Sequence, residues 1–200
     1  MFCKNCGTKL EEGAKFCQNC GSQTNTHEGS APVEYYAISP KRLILFSVLT
    51  LGIYELYWFY KNWQAVKESE RQKMYPFWRA VFAVFFCYSL FKKVLESAKK
   101  QAYQSSYSPG WLAAVYISLL LLGSGLGNID SYDLEFNFIW LIVVISTFIP
   151  LLPIQKAINF NNEKIKGSKV LPEGFSSGEV VLIVIGVLWF LLVLWGTFLP

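Results

Sequence analysis

The chain has 200 residues, 53% of them hydrophobic, with a formal net charge of +4. The apolar residues are not spread as one soluble core would spread them. They gather in nearly uncharged blocks of about twenty, the length that crosses the hydrocarbon of a bilayer as a helix. Trp and Tyr are abundant, as expected at a membrane–water boundary. No apolar segment precedes Leu43, so a cleaved secretory signal is not expected and insertion falls to the later helices.

Residues 1–21 hold two Cys-x-x-Cys-Gly units, Cys3/Cys6/Gly7 and Cys17/Cys20/Gly21. Two residues between the cysteines of each unit let both sulfurs face one ion, and two such turns complete a tetrahedron. A glycine after the second cysteine suits a positive φ that aims its N–H at a sulfur. Phe2, Phe16 and Leu10 are nearly all the apolar core available, so metal binding has to supply the folding energy. Two disulfides or an iron site are the other chemistries open to these residues, but the repeated spacing favours one Zn2+. Four protein ligands close the coordination shell and make the ion structural. The module resembles the short zinc-ribbon family over residues 1–21, which implies a small β-type fold. Zinc ribbons bind nucleic acid or protein. Lys4, Lys9 and Lys15 against Glu11, Glu12 and the net-negative metal centre leave no basic excess, so a protein partner is expected and nucleic acid is not.

Residues 22–38 read as a flexible polar linker, with the sole histidine, His27, solvated within it. Residues 39–200 read as an all-α polytopic membrane domain of five hydrophobic helices, at about 43–60, 77–95, 110–127, 136–154 and 179–199. Ser39-Pro40 and Ser108-Pro109 are helix starts, with Ser as N-cap and Pro in the first turn. The first block carries a single charge, Glu55, and continues as an amphipathic extension through Lys73. Arg79 can snorkel at the start of the second, and Cys87 reads as a small apolar side chain. The run Gly123–Gly127 is expected to end the third helix, with close helix packing as the alternative. An acidic loop with Asp130 and Asp133 follows. Pro150 and Pro153 should bend or break the fourth helix. Ser176–Glu179 has capping-box spacing ahead of the fifth.

Basic loops mark the cytoplasmic side. Lysines at 92–100 and 156–169, and none at 128–135 or after the last block, place the ribbon inside and the C-terminus outside. The cytosol also keeps thiols reduced. The basic connection 61–79 conflicts with this if the first two blocks both span. Two spans are the expectation, and a re-entrant or interfacial pair is the alternative.

Leu51–Trp63 (LGIYELYWFYKNW), Pro76–Ala80 (PFWRA) and Pro150–Asn159 (PLLPIQKAIN) resemble the signature of an uncharacterised family of bacterial integral membrane proteins, a domain of unknown function, over about residues 35–165. The resemblance implies a multi-pass protein of a bacterial inner membrane and transfers no catalytic residue. The functional expectation is a membrane protein whose cytosolic ribbon docks a protein partner or positions the membrane domain. A small transporter or channel is the alternative, because an ionisable group at membrane depth is a functional candidate. In it Glu55 faces Tyr88, with Arg79 near Trp63. Thiolate-based redox or zinc sensing is a further reading. An enzyme is not expected: the blocks lack histidine, and a closed zinc site offers no open position.

Overall fold

The computed structural model describes residues 3, 5–9, 16–22, 32–71, 73–105, 107–129, 134–168, 171, 174, 175 and 177–198. Expectations for Phe2, Leu10, His27, Asp130, Asp133 and the cap at Ser176 lie outside these residues. The chain forms two compact units, Met1–Pro32 and Val33–Pro200. In the first, Lys9 and Phe16 are isolated β-bridge positions and no strand occurs among the described residues.

The second unit is helical: α1 Pro40–Leu49, α2 Ile53–Glu70, α3 Pro76–Val81, α4 Ala83–Lys100, α5 Pro109–Gly127, α6 Leu134–Ile145, a 3-10 turn Ser146–Phe148, α7 Leu151–Lys166 and α8 Ser177–Phe198. The two helix starts read from Ser-Pro pairs are present. The Ser39 hydroxyl accepts from the Arg42 N–H, and that of Ser108 from the Trp111 N–H, each at 3.3 Å.

The block expected as one helix over 43–60 is two helices. α1 stops at Leu49, and Leu51 (φ 49°) and Gly52 (φ 85°) turn the backbone through the left-handed region. Thr50 stitches the break: its hydroxyl donates to the Phe46 carbonyl at 2.7 Å and accepts from the Tyr54 N–H at 2.9 Å. Ten residues rise roughly 15 Å, half of the about 30 Å of hydrocarbon, so α1 cannot cross a bilayer. The chain instead comes back. Tyr36, just before α1, lies against Tyr54, Tyr57 and Asn62 of α2. The second block also divides, at Phe82 between α3 and α4. Among the described residues three stretches are long and apolar enough to cross a membrane: Pro109–Gly127, Glu135–Lys166 and Glu179–Gly196.

The ends of the helices sort by charge. Arg42 at the start of α1 pairs with Glu179 at the start of α8 at 3.5 Å. Lys93 of α4 pairs with Glu70 at the end of α2, and Lys166 at the end of α7 with Glu34. The lysines of α2, α4 and α7 therefore share one end of the unit, together with the 61–79 connection. No Lys or Arg occurs between 101 and 155 or after 169. The α5–α6 junction lies at the opposite end, since α5 rises roughly 28 Å away from the basic one. α1 and α2 leave from and return to the same end of the unit.

Residues 33–38, expected as flexible linker, are held instead. Val33, Tyr35 and Ile38 are buried, and the strand-like segment is paired with amide side chains of α2 and α7. Asn162 makes a two-way pair with Tyr35, accepting from its N–H at 3.1 Å and donating to its carbonyl at 2.6 Å. Asn161 donates to the Val33 carbonyl, Asn159 to that of Ile38, both at 2.9 Å, and Gln155 to that of Tyr36 at 3.2 Å. Asn62 accepts from the Tyr36 N–H at 3.1 Å. Gln155, Asn159 and Asn162 follow at i, i+4 and i+7, one helical face. A segment with no neighbouring strand has to satisfy its backbone in this way, because an unpaired buried amide costs as much as a lost hydrogen bond. Trp58, Phe59, Trp63, Phe91, Ile154 and Ile158 fill the core beside it, all fully buried.

The glycine run at 123–127 forms the last turn of α5, which ends at Gly127 as expected, and it also serves packing. A Cβ on Gly123 would stand 3.3 Å from Val144, and one on Gly127 3.0 Å from Trp140, both of α6. Without side chains these positions let two helices approach closely. Gly186 does the same where α8 crosses the α1 terminus: a Cβ there would meet Leu49 at 3.2 Å and Thr50 at 3.3 Å.

Candidate functional site

The four cysteines converge. Their sulfurs all lie within 4.8 Å of one another, with Cys3–Cys20 at 3.6 Å and Cys6–Cys17 at 3.5 Å. A tetrahedral zinc with Zn–S bonds of about 2.3 Å has sulfur–sulfur edges of about 3.8 Å. The cluster is of that size, and its sulfurs are too far apart for a disulfide, which needs about 2.05 Å; none of the cysteines is bridged.

Sequence builds the two halves alike. Gly7 N–H donates to the Cys3 carbonyl at 2.8 Å, and Gly21 N–H to that of Cys17 at 2.9 Å. Both glycines have positive φ, 71° and 66°, which lets each turn close tightly around its sulfurs. The next residue of each half, missed in the sequence reading, is a hydroxyl. Thr8 Oγ1 lies 3.2 Å from Cys6 Sγ, and Ser22 Oγ 2.9 Å from Cys20 Sγ and 3.2 Å from Cys3 Sγ. Repetition of a hydroxyl after each Cys-Gly pair is the signal that could have found them. The Ser22 hydroxyl pulls the thiols of Cys20 and Cys3 down, Cys3 to about 6, which favours the thiolate a metal needs. Cys3 and Cys17 are buried, Cys6 and Cys20 exposed. Phe16, expected in the module's core, is 58% exposed. The donor set fits one structural Zn2+ held by Cys3, Cys6, Cys17 and Cys20.

The second site is Glu55, in the first turn of α2. It is 1% exposed. The Thr147 hydroxyl donates to its Oε1 at 2.7 Å, and the Tyr116 hydroxyl is its other partner. No ion pair to Glu55 occurs among the described residues. Thr147 has one proton and two acceptors in reach, Glu55 Oε1 and the Val144 carbonyl at 2.9 Å. With the carboxylate charged, the proton points to Glu55. With the carboxyl protonated, Glu55 donates to Thr147 and Thr147 turns to Val144. The site can therefore hold either charge state by rotating one hydroxyl.

Glu55, Tyr88 and Arg79 are not brought together. Tyr88 is half exposed, and its ring lies beside Gly110 at the start of α5. The expected pairing set the first two apolar blocks against each other about a turn near residue 71; instead Tyr116 of α5 takes the place assigned to Tyr88. The Arg79 guanidinium stacks 4.4 Å from the Trp63 ring and 5.2 Å from Phe86. Tyr116 and Thr147 escaped the sequence reading because their elements pair only in the fold. Cys87 is buried, as an apolar packing residue would be.

A cavity of about 530 Å3 lies on the other side of the two hydroxyls that hold Glu55; Glu55 itself is not among the residues that line it. Tyr116 and Thr147 line it, as do Ser124, Gly127, Asn128 and Trp140.

Residues 2–24 match the family model of the zinc-ribbon domain. No curated protein and no solved structure matches the chain.

Proposed function

We propose that this chain is a non-enzymatic multi-pass protein of a bacterial inner membrane, with its basic end and its zinc ribbon in the cytosol, and that the ribbon recognises a protein partner or positions the membrane unit. The single observation that supports the ribbon's role is its closed four-sulfur site, which leaves no position for a substrate on the metal. The bacterial membrane rests on the three motifs of the resemblance. Those motifs also meet in space: Trp58 Nε1 donates to Gln155 Oε1 at 2.6 Å, and Arg79 stacks on Trp63. On this reading α1 and α2 form a re-entrant hairpin, and α5, the α6–α7 stretch and α8 cross. The cytosolic side follows from the gathering of lysines at one end.

Reporter fusions at residues 70 and 168 are expected to score as cytoplasmic, and one at 131 as exterior. A cytoplasmic score at 131, or opposite scores at 70 and 168, would defeat the topology. For the ribbon, the partners recovered from native membranes with the parent and with a Cys6→Ser chain are compared. An unchanged set would remove the recognition role.

A second reading, a small transporter, is favoured by Glu55, a buried carboxyl whose two hydroxyl partners, Tyr116 and Thr147, line a cavity. Flux of the transported species in liposomes should fall at least about tenfold in Glu55→Gln; equal flux of parent and variant would sink this reading.

A further inference from the structure

Resting on the re-entrant reading of α1 and α2 above, we infer that the cavity between α2, the α3–α4 junction, α5 and α6 is a phospholipid site. It holds one acyl chain of a lipid from the leaflet on the α5–α6 side, with the head group at the Gly127–Trp140 end. Two hairpins that stop half way make the site. α1 and α2 turn at Leu51–Gly52. α3 and α4 turn at Phe82, and Lys93 of α4 comes back to Glu70 at the basic end. From Ala83 to Lys93 the chain rises roughly 15 Å, as α1 does. Both tips line the cavity, Gly52 and Leu56 from one, Val81 and Ala83 from the other.

Neither hairpin enters the far half of the about 30 Å of hydrocarbon. α5 and α6 do, and the cavity follows them. Along α5 its wall runs from Tyr116 to Gly127, roughly 16 Å of rise. On the other side it runs from Thr147, beside Gly52, to Trp140, beside Gly127. The space of about 530 Å3 therefore extends from mid-bilayer, at the hairpin tips, toward the boundary at the end of α5. The solvent at that depth is acyl chain.

The wall decides what enters. Leu56, Val81, Leu119, Leu120 and Val144 are apolar, and no charged residue occurs among the described residues that line it. Its polar side chains have turned their donors to the protein. The Trp140 Nε1 donates to the Gly123 carbonyl at 3.2 Å, and Asn128 Nδ2 to that of Ser124 at 2.7 Å. The Thr147 and Tyr116 hydroxyls are partners of Glu55. A buried water needs about two to four polar partners, which such a wall does not offer. An ionic ligand finds no counter-charge in it. A hydrocarbon chain needs neither, and lipid tails are as apolar as leucine. Ile53, Leu56 and Val81 are exposed, so the space opens sideways and a chain enters without leaving the bilayer. Ser124 and Asn128, also exposed, stand at the far end, where the polar part of the lipid begins.

The test uses the whole protein in nanodiscs of phosphatidylcholine. Two phosphatidylcholine probes carry a diazirine, one beside the chain ester and one at the chain methyl end. Adducts are mapped by peptide mass spectrometry after illumination. In the unaltered protein the methyl-end probe should label 51–56 and 81–84, and the ester-side probe 124–128 and 140. Labelling at these walls should saturate as the probe fraction rises. Adducts at Leu192, an exposed residue of α8, should rise in proportion. Leu120→Trp fills the cavity from its wall, and Leu56→Trp from its exposed rim, where the fold has room for a larger ring. Each should cut the saturable labelling at least about tenfold and leave Leu192 as it was. Wall labelling that only rises in proportion, as bulk lipid gives, would overturn the inference. So would unlabelled walls, the result expected if water or a helix of a second copy fills the space. An exchange of positions between the two probes, or saturable labelling untouched by both variants, would do the same. The reporter fusions judge the topology separately. An exterior score at 131 with unlabelled walls ends the lipid site alone. A cytoplasmic score there with saturable labelling upholds the site and ends the topology.

Discussion

A Cys6→Ser chain is expected to fall from one bound zinc to none and to lose the folded ribbon, while residues 33–198 keep their helices. The magnitude follows from what the ribbon lacks. Phe16 is largely exposed, and the described residues of the module bury chiefly two cysteines, Cys3 and Cys17. With no apolar core of consequence among the described residues, folding rests on metal binding, which supplies about 10–16 kcal/mol in zinc-finger peptides. Serine is a poor zinc ligand beside three thiolates, and it opens the shell to water. Zinc content by a chromophoric chelator after protein digestion, and amide spectra of the ribbon with and without the substitution, measure both effects. Retention of a full equivalent of zinc would show that the four sulfurs are not the ligand set. Retention of the fold without zinc would show that other contacts hold the module.

The second large effect is expected at Asn162. Its replacement by alanine strips Tyr35 of the partners of both its N–H and its carbonyl, in a site where neither meets water. Each buried group left unpaired costs about 1–3 kcal/mol, so the variant should lose about 3 kcal/mol of stability. It should also loosen residues 33–38 from the face of α7. Two readouts separate the global from the local effect: unfolding of the purified protein in detergent, and chymotrypsin cleavage after Tyr35 and Tyr36. The parent should resist cleavage there until it unfolds. In the variant cleavage should precede unfolding. Stability and resistance both equal to the parent's would mean that the buried side chains of Tyr35 and Val33, not the amides, hold the segment.

The amide cradle also gives a physical meaning to the motifs that first set residues 51–63 and 150–159 apart. Trp58, Asn62, Gln155 and Asn159 belong to those motifs. In the structure they form one connected network around Tyr36 and Ile38: Trp58 orients Gln155, Gln155 reaches Tyr36 and Asn159, and Asn62 is braced by the Trp58 carbonyl at 2.8 Å. Polar side chains in an otherwise apolar unit are costly unless each is satisfied. Here the network anchors the stretch of chain that leads into α1. A change at any of these four residues should therefore disturb its neighbours beyond its own contacts, a coupling that double-mutant cycles detect.

Much about this chain could be read without the fold. The metal site is local: four sulfurs within a short stretch, at a spacing that only a shared ion explains, need no distant contact to be recognised. Helix starts at Ser39-Pro40 and Ser108-Pro109 were legible for the same reason, since a cap is made within one turn. The sorting of lysines away from residues 101–155 was legible too, because it is a property of the sequence itself. What escaped was whatever depends on two distant segments meeting. Residues 33–38 are polar enough at their flanks to pass for linker, and their partners lie some 120 residues on. The break at Thr50–Gly52 is carried by one threonine and two left-handed residues inside an apolar run, where hydropathy is blind to direction. Tyr116 and Thr147 become partners of Glu55 only when α5 and the α6–α7 junction close on α2. Local chemistry thus determined the zinc and the apolar blocks. Tertiary packing alone decided that α1 turns back, that the linker is clamped, and which hydroxyls meet the buried acid, because buried polar groups take their partners from wherever the fold brings one.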